Sequence, residues 1–80
     1  MRRTLYFAAS ATASLRHIDR RFVPGVWATL KALAENPDTV LYYPNPRDPS
    51  IYGITISGDV TIWFEILDEL HALRILDIEE

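Results

Sequence analysis

Ile51-Tyr-Gly-Ile-Thr-Ile-Ser-Gly-Asp-Val-Thr-Ile-Trp-Phe-Glu-Ile66 is the stretch that decides the fold. Tyr52, Ile54 and Ile56 alternate with Gly53, Thr55 and Ser57. After Ser57-Gly58-Asp59 the alternation resumes, with Val60, Ile62, Phe64 and Ile66 set against Thr61, Trp63, Glu65 and Leu67. A period of two carried by β-branched and aromatic residues predicts half-buried strands. The Ser-Gly-Asp between them predicts a hairpin turn. Asp68-Glu69 predicts a second turn, and Leu70 to Ile78 a third strand with Leu73 and Ile75 apolar. Two successive hairpins make an antiparallel sheet. One of its faces is apolar. The other carries Gly53, Thr55, Ser57, Thr61, Trp63 and Glu65, and is expected to meet solvent or a partner.

Working outward, the sequence supplies what covers the apolar face. Ala11, Leu15, Ile18 and Phe22 recur at helical spacing, with Arg16, Asp19 and Arg20 off that stripe and Ser10 in position to cap the helix. Pro24-Gly25 predicts a break. A second stripe runs through Val23, Val26, Trp27, Leu30, Leu33 and Ala34, and Asn36-Pro37 ends it, because the residue before a proline avoids helical geometry. Thr4 to Ala8 reads as a first strand, with Leu5 and Phe7 on one face. Three prolines between Pro44 and Pro49 exclude regular helix there, and Val40 to Tyr43 allows a short extended piece. The expectation is a single two-layer α+β domain over residues 1–80, in the order β-α-α-β-β-β, with a helical hairpin covering an antiparallel sheet. Tyr52, Ile54, Ile56, Val60, Ile62 and Phe64 should then pack against Leu15, Ile18, Trp27 and Leu30.

Composition narrows the function. The 80 residues carry eight basic and eleven acidic side chains, a net charge of −3, and 49% hydrophobic residues, which is ordinary for a globular chain. No apolar run approaches the roughly 18 residues of a membrane span. There is no cysteine, hence no disulfide framework and no cysteine zinc site, which fits a cytoplasmic protein. His17 and His71 are too far apart in sequence to suggest a metal centre. Met1-Arg2-Arg3 and the apolar residues after it are too short for a signal peptide and read as the first strand. Charge is divided along the chain. Residues 1–31 hold six positive groups and one negative, whereas residues 32–80 hold two positive and ten negative. No phosphate loop, dinucleotide fingerprint, zinc-protease or nucleophile motif is present, and no cofactor is expected.

With these elements in place, the chain resembles the toxins of the RelE/ParE superfamily. Leu15-Arg-His-Ile-Asp-Arg-Arg-Phe-Val-Pro-Gly-Val-Trp-Ala-Thr-Leu-Lys-Ala-Leu-Ala-Glu-Asn-Pro37 looks like that family's helical hairpin, which typically ends on a sequence like residues 32–37 here. Ile51 to Ile66 resembles its central β-hairpin, and Leu73-Arg74-Ile75 its last strand. The resemblance covers residues 4–80 and implies the β-α-α-β-β-β fold derived above. It also implies the toxin of a type II toxin–antitoxin pair, with a cognate antitoxin as partner and either ribosome-bound messenger RNA or DNA gyrase as target. Ribonuclease members carry Lys and Arg on the open face of the sheet, where cations stabilise an anionic transition state. The corresponding positions here are Gly53, Thr55 and Thr61, and Glu79-Glu80 stand where the family often has a basic end.

The candidate site residues follow from what remains. Arg47, in the proline-rich loop, and Arg74, on the last strand, are the only basic residues after Lys31. With His71, whose unperturbed pKa lies near 6.5, they form the candidate catalytic set. Arg74 is also placed to pair with Glu65. Trp63, with Thr55 and Thr61 on the same face, is a candidate for contact with a base or a partner. Arg16 and Arg20, spaced one helical turn apart, form a candidate basic patch. Three functions stay open: a toxin acting by binding a protein or ribosome target, a messenger-RNA endonuclease with an atypical site, and an inactivated relative that keeps only antitoxin binding. An acidic isoelectric point of about 5.2 weighs against tight nonspecific RNA binding, which depends on cationic contacts.

Overall fold

A computed structural model describes residues 2–80. Strand β1 (Thr4–Phe7) leads into helix α1 (Ala9–His17). After a 3-10 turn comes helix α2 (Val23–Glu35), then β2 (Tyr43–Pro44), β3 (Ile51–Ile56), β4 (Val60–Leu67) and β5 (Ala72–Glu79). The five strands form one sheet in the order β1-β5-β4-β3-β2. The predicted meander is there: Ile54 pairs with Ile62 and Ile56 with Val60, and β4 runs antiparallel to β5. Between Trp63 and Phe64 the partners on β5 jump from Asp77 to Ile75, so Leu76 is a bulged residue.

The alternation sorts the two faces as expected. Ile54, Val60, Ile62, Phe64, Leu73, Ile75 and Ile78 are buried against Ala11, Ile18, Val26, Leu30 and Leu33 of the helical layer. Tyr52, Ile56 and Leu15 pack at the margin of this core. Tyr42, Tyr52 and Phe64 close one end of it as an aromatic triad, with ring centroids 5.0–5.9 Å apart.

Several local expectations are corrected. The sheet is mixed, because β1 pairs parallel with β5, with Leu5 opposite Leu73. The helical hairpin supplies the crossover that a parallel pair requires. The extended piece expected at Val40–Tyr43 forms instead at Tyr43–Pro44, where Tyr43 pairs with Gly53. Ser10 does not cap α1. It lies inside the helix, and its hydroxyl donates to the Leu76 carbonyl at 2.6 Å. Helix α1 ends at His17 rather than continuing to Phe22, since Ile18 is extended and Asp19 accepts from the Arg21 backbone N–H. Pro24 therefore does not make the break. It sits in the first turn of α2, where the missing N–H has no helical acceptor to lose. Trp27 is not in the core. It is 46% exposed, its ring set edge-on to Phe7 at the β1 margin.

Candidate functional site on the open face of the sheet

The face of the sheet turned away from the helices carries a continuous band of side chains, and β2, β3 and β4 fix it. Gly53 and Trp63 are directly opposed in the β3–β4 ladder. The indole lies over the glycine so closely that a Cβ at position 53 would stand 2.5 Å from its Cζ3 atom. Tyr43, opposite Gly53 on the other side, meets the same indole edge-on at 5.9 Å and 85°. Its hydroxyl lies 2.9 Å from Thr55 Oγ1, which lies 3.1 Å from Thr61 Oγ1. The three positions at which the family resemblance puts cations thus hold a tryptophan seat and two hydroxyls of a hydrogen-bonded ladder.

A cleft of about 410 Å³ opens beside Trp63, lined also by Asn45, Pro46, Arg47, Ile51, Leu76, Asp77 and Glu79. Its loop wall is ordered by two side-chain turns. Asn45 Oδ1 accepts from the Arg47 backbone N–H at 2.8 Å. Asp48 Oδ1 accepts from the Ser50 hydroxyl at 2.6 Å and from its N–H at 3.0 Å. The Ser50 hydroxyl, then its backbone N–H, hold the Asp48 carboxyl below the usual carboxylate range. The strand wall carries Asp77, whose Oδ1 accepts from Ser14 at 2.7 Å, and the exposed Glu79.

The three candidate catalytic residues are spread over the surface. Arg47 lines the Trp63 cleft. Arg74 stands on the open face opposite Tyr6 and donates to Glu65 at 2.8 Å. His71 lies at the start of β5 in the left-handed region, φ 49°, and lines a second cleft of about 640 Å³ with Arg3, Glu35, Asp38, Tyr42, Tyr52 and Asp68. Arg3 bridges to Asp68 there at 3.3 Å. The candidate basic patch is also divided. Arg16 is in the last turn of α1, whereas Arg20 is in the following 3-10 turn, so they do not share one helix. Arg21 pairs with Asp19 at 3.6 Å and lies over the Phe22 ring. Among the described residues no group of three or more His, Cys, Asp or Glu side chains converges to hold a metal.

Sequence reasoning missed Ile51 and Leu76 as cleft residues. Ile51 follows the outward parity of Gly53 and Thr55, so alternation contained that signal. Leu76 reaches the cleft through the bulge, which only pairing with β4 reveals. Chemically, the face offers an indole, aliphatic surface, hydroxyls and carboxylates. Among the described residues Arg47 is the one cation lining the cleft, and Arg74 is paired with Glu65. That set suits contact with a polypeptide better than stabilisation of a phosphate in flight.

No protein-family model matches the sequence, and no curated protein does either. Solved structures do match. A chain of the toxin–antitoxin complex RelBE2 from Mycobacterium tuberculosis superposes with a TM-score of 0.84 at 21% identity, covering 100% of this chain and 99% of that one. The isolated RelE toxin of E. coli gives 0.80 at 16% identity, over 98% of this chain and 83% of that one. A chain of the archaeal RelE–RelB complex from Pyrococcus horikoshii gives 0.75 at 13%, over 99% and 94%. Among the described residues no helix is long and apolar enough to cross a membrane. With the parallel β1–β5 pair, the helical crossover and the antiparallel β3–β4–β5 meander all in place, the chain has the RelE toxin fold.

Proposed function

We propose that this protein is the toxin of a type II toxin–antitoxin pair, acting in the cytoplasm, neutralised by a cognate antitoxin and inhibiting growth by binding a protein or ribosome target. The observation that carries this reading is the superposition over essentially the full length on RelE chains, among them a toxin solved with an antitoxin peptide. The open face supports binding over cleavage. RNA cleavage draws on cations aimed at the developing charge, and here Gly53, Thr55 and Thr61 occupy those positions. The endonuclease alternative would have to use Arg47, Arg74 and His71, which line no common cleft among those described.

Induced expression in a bacterial host, with growth and messenger-RNA integrity followed together, tests the proposal. The expected result is growth arrest with intact transcripts, relieved by co-expression of the cognate antitoxin. Arrest with cleaved transcripts would replace the binding reading by the endonuclease, and Arg47, Arg74 and His71 would be the first positions to substitute. DNA gyrase supercoiling assays and ribosome co-sedimentation then separate the two target classes. Normal growth in a host that accumulates the folded protein would leave a relative that keeps antitoxin binding alone.

A further inference from the structure

We infer that the cleft beside Trp63 docks a polypeptide segment bearing a lysine or arginine next to a large apolar side chain. This deepens the binding reading above and rests on it, because it assigns the open face to a protein rather than to RNA. The cleft has the size of a small-ligand or side-chain pocket, and its floor is apolar, formed by Trp63, Ile51 and Leu76. The indole is held in place before any partner arrives, seated on Gly53 and braced by the Tyr43 edge. A ring already fixed loses little conformational freedom on binding.

Charge selects the partner. Residues 51–80, which supply three of the five strands, carry seven acidic side chains against Arg74 alone. Arg74 is tied to Glu65. Of the two carboxylates on the strand wall, Asp77 is engaged by Ser14, whereas among the described residues no hydrogen bond or ion pair engages the Glu79 carboxylate. At the cleft itself Asp77 and Glu79 stand against Arg47, a net acidic lining that repels a polyanion and attracts a cationic segment. An apolar side chain would enter over Trp63 while its basic neighbour meets Glu79. Arg47, on the loop wall, contributes nothing favourable to such a segment and would be needed only by an acidic one.

The test uses the whole chain with Trp27→Phe, so that Trp63 is the sole tryptophan, and follows its emission. Three probes are titrated: the peptide acetyl-Lys-Leu-Arg-Leu-Lys-amide, its Glu/Asp counterpart, and a ten-nucleotide single-stranded RNA. The basic peptide should give a saturable change that weakens about two- to fivefold in Glu79→Gln, the range of one exposed ion pair, and weakens further in Glu79→Lys. Arg47→Gln should leave it unchanged or tighten it. Both positions are exposed, so folding is not at issue. A response to RNA or to the acidic peptide that disappears in Arg47→Gln overturns the inference, and so does silence of Trp63 toward all three. Neither result touches growth arrest on expression, so failure of the docking site and failure of the toxin reading are told apart.

Discussion

At the scale of single residues, the open face is organised by one glycine. Gly53 is required for space and not for a special backbone angle, because any Cβ would run into the Trp63 ring. Gly53→Ala should therefore destabilise the fold by about 1–3 kcal/mol, the usual cost of overpacking. In the Trp63→Ala background the same change should cost much less. A double-mutant cycle by urea denaturation measures the difference, and additive effects would show that the two side chains do not compete for this space. The coupling also explains why a long cation at position 53 is incompatible with the indole where it now lies. Asp48 is a second residue whose behaviour follows from its neighbours. Its pKa is depressed by Ser50, so those hydrogen bonds are present at neutral pH, where the carboxylate is ionised. A depressed folded-state pKa means that their contribution is complete above the unfolded value and is lost as pH falls through the folded one. Ser50→Ala should raise the Asp48 pKa toward the ordinary range in a carboxyl NMR titration. An unmoved pKa would remove Ser50 as the cause.

Elements show where periodicity was enough and where it was not. The β3–β4 hairpin was legible because alternation, turn residues and register agree. Its turn places Ser57 at φ 54° and Gly58 at φ 75°, with the Asp59 N–H donating to Ile56. Two successive left-handed residues favour Asn-Gly over Ser-Gly, since asparagine tolerates that region better than most residues. Ser57→Asn should thus raise stability by up to about 1 kcal/mol, read as a higher midpoint of thermal unfolding. An unchanged or lower midpoint would contradict that turn assignment. The helical hairpin was legible in outline only. The stripe from Ala11 to Phe22 is continuous in sequence, yet the helix stops at His17, because Asp19 supplies a local hydrogen bond to Arg21 and Glu80 accepts from the Asp19 N–H at 2.7 Å. Glu80 is 61 residues away, so that half of the stop signal is invisible in a local window. Trp27 fits the second stripe by spacing, but its ring meets Phe7 of β1, the edge strand of the sheet, and so stays half exposed.

For the molecule as a whole, stability rests on one core shared by both layers. Val26, Leu30 and Leu33 are fully buried in it together with Ile62, Phe64, Leu73 and Ile75. Leu30→Ala should cost about 2–5 kcal/mol, a large part of the 5–15 kcal/mol typical of a folded chain. In a chain of this size that lowers the unfolding midpoint by at least about 8 °C, and an unchanged melting curve would exclude Leu30 from the core. Charge is also organised at this scale. The acidic excess of residues 51–80 lies on the strands and their turns, while Arg16, Arg20 and Arg21 lie on the helical layer. Ion pairs of Arg3 with Asp68, Arg21 with Asp19 and Arg74 with Glu65 still join opposite signs locally.

The sequence by itself determined the order of elements, the two faces of the β3–β4–β5 meander and the absence of cations at positions 53, 55 and 61. Each of these is a local property, carried by a period of two or 3.6, a turn residue or the identity of one side chain. The tertiary structure alone decided that β1 joins the sheet in parallel, that Leu76 bulges into the Trp63 cleft, and that Arg47, Arg74 and His71 fall on different parts of the surface. These depend on pairings between residues far apart in the chain, such as Leu5 with Leu73 and Trp63 with Asp77. No local pattern encodes such a pairing, because its partners are chosen by which packing of both layers buries the most apolar surface.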